Sequence, residues 1–86
     1  MQTIMIDGSM YAAPKDLHLA LKRMLSLPDY YGMNADALND CLSERSDSVC
    51  LWIYHPGTGD TAAALNIVSQ VIRDNGGNVM RMVTAE

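Results

Sequence analysis

Apolar positions along this chain fall into short runs of two periods, and the periods mark out its elements. Thr3-Ile4-Met5-Ile6-Asp7 is β-rich and stops at Gly8, which predicts a first strand. Leu17, Leu21, Met24 and Leu25 then recur at i, i+4, i+7 and i+8, the stripe of an amphipathic helix with Lys22 and Arg23 outside it. Pro14 suits the first turn of that helix, Asp16 suits its positive end, and Pro28 closes it. A loop from Asp29 to Met33 turns at Gly32. A second helix starts at Asn34, a good N-cap, and runs to Glu44. At about 100° per residue, Leu38, Cys41 and Leu42 gather on one side of it, with Ala37 at their margin. Asp36, Asn39, Asp40, Ser43 and Glu44 gather on the other.

Ser46-Asp47-Ser48 is a polar break. Val49 to Tyr54 follows with almost no polar residue, which predicts a strand covered on both faces, with Trp52 buried in the sheet. His55 to Asp60 reads as a loop. Asp60 or Thr61 caps a third helix reaching about Asn75, whose wide apolar face comprises Leu65, Ile67, Val68, Val71 and Ile72. Gly76 and Gly77 supply its left-handed stop, and Val79 to Thr84 form the last strand. The order β-α-α-β-α-β implies an α/β fold, a small three-stranded parallel sheet packed with about three helices. Residues 1–86 are expected to form one such domain, without internal repeats.

Charge changes this picture from architecture to function. The chain has ten acids and six bases, a net charge of -4. Between Asp29 and Asp47 lie five of those acids and one base, Arg45; the rest of the chain is balanced at five against five. That balance argues against phosphate binding as the main activity, since nucleic-acid binders carry a basic patch. The outward side of the second helix carries Asp36, Asp40 and Glu44 and no cation. Like charges at i,i+4 destabilise a helix by a few tenths of a kcal/mol per pair, roughly, so local stability does not ask for them. A basic partner does.

Other chemistry is sparse. Cys41 and Cys50 are too few for a disulfide framework or a zinc site and read as buried thiols. His18 and His55 have no second ligand at metal spacing, and no cofactor is expected. Gly57-Thr58-Gly59-Asp60 echoes a phosphate loop but lacks the third glycine and the lysine, and reads as a capped turn. The seven methionines read as core packing. Neither a signal peptide nor a membrane-length apolar run is apparent, so a cytoplasmic location away from membranes is expected.

Leu27-Pro28-Asp29-Tyr30-Tyr31-Gly32, followed by Asn34, Asp36-Ala37-Leu38 and Asp40-Cys41-Leu42, resembles the barstar family of intracellular ribonuclease inhibitors. Asp16-Leu17-His18 leads into that run and belongs to the same likeness, which continues more weakly through the Ile4-x-Ile6-x-Gly8 opening, the strand around Trp52, and Val71 to Asp74. The resemblance implies a three-stranded parallel sheet with helices around it, and a partner that is a basic ribonuclease or ribonuclease toxin, bound 1:1. By motif position it implies that Asp40 imitates a phosphate among catalytic cations and that Asp36 pairs with a basic rim residue. Tyr30 would close over an imidazole or guanidinium. Asn34 and Ser43 hold contact positions, and Asp74 is an outlying acidic contact. The sequence departs from the family at Asn39, where a tryptophan is usual, and at Glu44-Arg45, where a glycine-tryptophan pair is usual. The connection after the second strand is also shorter, which implies loss of the family's short extra helix. These departures touch the contact surface and leave the identity of the nuclease open.

Two other functions compete. An acidic interaction module would bind a basic protein without inhibiting any enzyme. A small α/β enzyme would have to use Asp36 and Asp40 as its acid–base pair, and a convex helix offers such a pair little concavity.

Overall fold

Our computed structural model of the chain describes residues 2–81. Strand β1 (Gln2–Asp7) leads through a short 3-10 turn (Gly8–Met10) into helix α1 (Pro14–Met24). Helix α2 (Ala35–Ser43), strand β2 (Val49–His55), helix α3 (Gly59–Asp74) and strand β3 (Asn78–Arg81) follow. This is the expected α/β order. The part of the last strand expected beyond Arg81 lies outside the described residues. The strands form one parallel sheet in the order β1-β2-β3. Right-handed crossovers between strands laid down in that order put α1, α2 and α3 on the same face.

That one-sided layering corrects the reading of β2. Its residues alternate in burial: Val49, Leu51 and Ile53 are buried, whereas Cys50 and Trp52 are half-buried and Tyr54 is exposed. The registers Ile4↔Leu51↔Val79 and Ile6↔Ile53 place the buried set against the helices. The register Met5↔Trp52↔Met80 places the other set on an open face. Trp52 is therefore not a core residue, and neither cysteine is a buried thiol. Met5, Met10 and Met80 are exposed as well, so only Met24 and Met33 match the packing role expected of methionine within the described residues.

The helices meet this sheet with Leu17, Leu21 and Leu25 of the α1 region, Leu38 and Leu42 of α2, and Leu65, Val68 and Ile72 of α3. Ile67, expected on the apolar face of α3, is exposed. Helix α1 ends earlier than Pro28 demands. Ser26 adopts a left-handed conformation (φ 52°), with Leu27 N–H donating to the Lys22 carbonyl and Ser26 N–H to the Arg23 carbonyl. These bonds satisfy carbonyls that the helix end leaves free. Gly76 (φ 82°) closes α3 by the same pattern. The start of α3 differs from expectation: Thr58 occupies the N-cap position without a side-chain bond, and Asp60 lies inside the first turn. The link from β2 to α3 has no helix of its own.

Gly8 explains how β1 and β2 can end together. A Cβ there would lie 2.5 Å from the His55 carbonyl oxygen and 2.7 Å from the Gly57 nitrogen. Only a residue without a side chain lets these backbones approach so closely.

Candidate acidic interface on the second helix

Local chemistry positions α2. Asn34 is its N-cap: the side-chain oxygen accepts from Ala37 N–H at 2.8 Å, and the side-chain amide donates to the Gly32 carbonyl at 3.1 Å. Asn34 thereby uses its side chain to shape the loop that carries Tyr30, whatever further contact it makes. The loop is anchored from below by Tyr31. Its ring is buried, and its hydroxyl lies 2.6 Å from His18 Nδ1 on α1 and 3.4 Å from the Asn34 carbonyl. Burial pushes the Tyr31 hydroxyl well above its ordinary range and lowers the His18 pKa, so both stay uncharged near neutrality. Tyr30, next in sequence, is 83% exposed. The pair therefore divides into one anchor and one free ring.

All eight of the sequence-derived interface residues are exposed: Tyr30, Asn34, Asp36, Asn39, Asp40, Ser43, Glu44 and Asp74. Asp36 sits in the first turn of α2, where the helix dipole favours it. Asp40 lies one turn on, and Ser43 Oγ donates to its carbonyl at 2.8 Å. Glu44 is the C-cap residue, and the last turn holds no base. Among the described residues, the ion pair is Lys22–Asp29 at 4.0 Å, off this face. Asp36, Asp40 and Glu44 thus have no ion-pair partner among the described residues.

Asn39 links this face to α3. Its side-chain oxygen accepts from Asn75 Nδ2 at 2.9 Å, and the same amide donates to the Val71 carbonyl at 2.8 Å. Asp74 is the neighbour of Asn75 and accepts from Gln70 Nε2 at 2.8 Å. The tie brings the end of α3 beside α2, which sequence distance alone does not show.

Two residues of structural weight were not legible as such. His18 follows Leu17 on the α1 stripe, a position that signals burial, but its partner Tyr31 is in another element. Arg45 reads in the sequence as one base among acids. In the fold its guanidinium turns inward: Nη1 donates to the Leu25 carbonyl at 2.8 Å and Nη2 to Gln2 Oε1 at 2.7 Å. Gln2 in turn donates to the Met24 carbonyl at 2.7 Å. Arg45 therefore caps the end of α1 and fastens it to β1 and α2. Among the described residues it makes no ion pair with the acidic face.

Between the 26–30 loop and the last turn of α2 lies a cavity of about 350 Å³. Leu27, Pro28, Tyr30, Cys41, Glu44 and Arg45 are among its walls. Burial, followed by the charges of Glu44 and Asp40, raises the Cys41 pKa, which keeps the thiol protonated and a poor nucleophile. Among the described residues, no group of three or more His, Cys, Asp or Glu could hold a metal ion, and no helix is long and apolar enough to cross a membrane.

A three-stranded parallel sheet covered on one face, with a carboxylate-bearing helix and an exposed tyrosine at its flank, defines a small acidic α/β domain. Comparison with known proteins makes the class specific. The family model described as Barstar (barnase inhibitor) matches residues 1–78, and the chain belongs to the barstar family. A Bacillus subtilis (strain 168) protein named "Putative ribonuclease inhibitor YrdF" is 51% identical over 43 residues. That match covers 50% of this chain and 47% of the relative, about half the length of each.

Proposed function

We propose that the chain inhibits a ribonuclease by placing the outward face of α2 in the enzyme's active site. The observation that carries this reading is the carboxylate row Asp36, Asp40 and Glu44, exposed beside Tyr30 and without an ion-pair partner among the described residues. A ribonuclease cleft must hold phosphate with arginine, lysine and histidine, so carboxylates can occupy it as phosphates do. Asp40, central on the face, takes the phosphate position. Asp36 pairs toward the rim, Tyr30 covers a catalytic ring or guanidinium, and Asp74 adds an outlying contact through the α2–α3 tie. Asn39 and Ser43 complete the surface. The protein acts as a 1:1 binder in the cytoplasm and performs no turnover itself. Membership of the barstar family and the name carried by the Bacillus relative support the same reading.

The test combines the purified chain with a panel of purified basic microbial ribonucleases, barnase among them, and follows RNA hydrolysis. Stoichiometric inhibition of at least one is expected. Asp40→Ala should weaken that inhibition more than a hundredfold, since stranding a buried cation costs about 3 kcal/mol or more. Its melting temperature should stay near that of the parent chain. Inhibition undiminished by Asp40→Ala removes the helix from the mechanism. Tight binding to a basic protein without nuclease activity, with no ribonuclease inhibited, favours the interaction module instead.

A further inference from the structure

We propose that the cavity beside α2 receives one arginine side chain of the protein partner, with Glu44 as its counter-ion and Tyr30 as its stacking wall. The assignment of that partner as a ribonuclease rests on the function proposed above. The cavity itself, at about 350 Å³, is at the small end of ligand pockets and suits one long side chain better than a whole ligand. Its chemistry is divided. Leu27 and Pro28 offer an apolar wall for a methylene stem, while Glu44 places a carboxylate beside it. Tyr30 exposes its ring at the same place, and a planar guanidinium stacks on such a face better than an ammonium does.

Glu44 is also held in a position that costs the free protein. It caps the C-terminal, negative end of a nine-residue helix, one turn beyond Asp40, and the last turn carries no base. The nearest candidate cation is Arg45, which shares the cavity wall. Its two terminal nitrogens are already spent on the Leu25 carbonyl and Gln2 Oε1, on the side facing β1. The arrangement thus holds a carboxylate open while keeping the neighbouring guanidinium from closing on it. An incoming arginine gives Glu44 the direct ion pair that Arg45, though it lines the same cavity, does not make.

The probe is N-acetylarginine amide, titrated at low salt into the isotope-labelled chain and followed by amide NMR, with N-acetyllysine amide in parallel. Saturable shifts are expected at Tyr30, Cys41, Glu44 and Arg45, with the lysine amide binding more weakly. Glu44→Gln should reduce the arginine affinity roughly tenfold, the scale of one charged hydrogen-bonded contact. The same variant should melt about 2 °C higher, because a like charge at the helix's negative end is gone. Shifts confined to Asp36 and Asp40, equal binding of the lysine amide, or a titration unaltered in Glu44→Gln overturn the assignment.

With an inhibited ribonuclease in hand, its arginines are changed to lysine one at a time against Glu44→Gln. One of them should show coupling. If Asp40→Ala abolishes inhibition while Glu44→Gln changes neither inhibition nor the probe titration, the arginine pocket falls and the inhibitor stands. If the probe binds through Glu44 and no ribonuclease is inhibited, the arginine pocket stands and the nuclease falls.

Discussion

His18 shows how a single buried residue can govern the presentation of exposed ones. Its contact with the Tyr31 hydroxyl at 2.6 Å anchors the loop that carries Tyr30 and ends at the cap residue Asn34. Burial lowers its pKa below the ordinary 6.5, so the unfolded chain takes up a proton more readily than the folded one. Stability from this residue is therefore full above pH 6.5. It is lost progressively as the pH falls from there toward the folded value, and levels off below it. Urea unfolding measured across that range should show the decline, and His18→Phe should flatten it. A curve unchanged by the substitution assigns the decline to the carboxylates. Asn34 offers a second check at this scale. Asn34→Ala removes the acceptor for Ala37 N–H and should cost about 1 kcal/mol in equilibrium unfolding.

At the scale of elements, the close approach of the β1 end to the turn after β2 depends on Gly8. Gly8→Ala places a methyl against the His55 carbonyl and the Gly57 nitrogen, both backbone atoms that cannot rotate away. The expected loss is about 2 kcal/mol, seen as a melting point lower by roughly 10 °C. A melting point within a degree or two of the parent would mean that the two strand ends separate freely. The helices were readable because each carries a dense local signal. Leu17, Leu21 and Leu25 recur on one face, Asn34 caps α2, and Gly76 terminates α3. The start of α3 was less readable because Thr58, Asp60 and Thr61 are all acceptable near a cap, and the backbone path from β2 chose among them. The strand β2 misled for a different reason. Cys50, Trp52 and Tyr54 are as apolar as the residues they alternate with, so composition cannot tell a covered face from an open one.

For the whole molecule, the distribution of charge matters more than its sum. Residues 29–47 hold five acids against one base, and that base is turned inward by its bonds to Leu25 and Gln2. A basic partner should be steered toward this side from beyond contact distance. Association measured by stopped flow should slow by about tenfold or more between roughly 50 and 500 mM salt, while dissociation changes less. Equal sensitivity of both rates would point to short-range contacts alone. The opposite surface has a different character: Met5, Trp52 and Met80 lie side by side on the open sheet face. Trp52 fluorescence should accordingly be quenched by acrylamide in the folded protein, as a core indole would not be.

The candidate interface was visible in the sequence because it lies mostly on one helix. Asp36, Asn39, Asp40, Ser43 and Glu44 share a face by helical period alone, and the residues around them carry the family motif. Local periodicity and capping depend on neighbours within a few positions, so order and type of the elements could also be read directly. What only the tertiary structure decided involves residues far apart in the chain. Arg45 reaching Gln2, Tyr31 reaching His18, Asn75 reaching Asn39, and the placement of every helix on one side of the sheet are of this kind. Such contacts are selected by packing and by the need to satisfy buried polar groups, and neither is encoded in any local stretch of sequence.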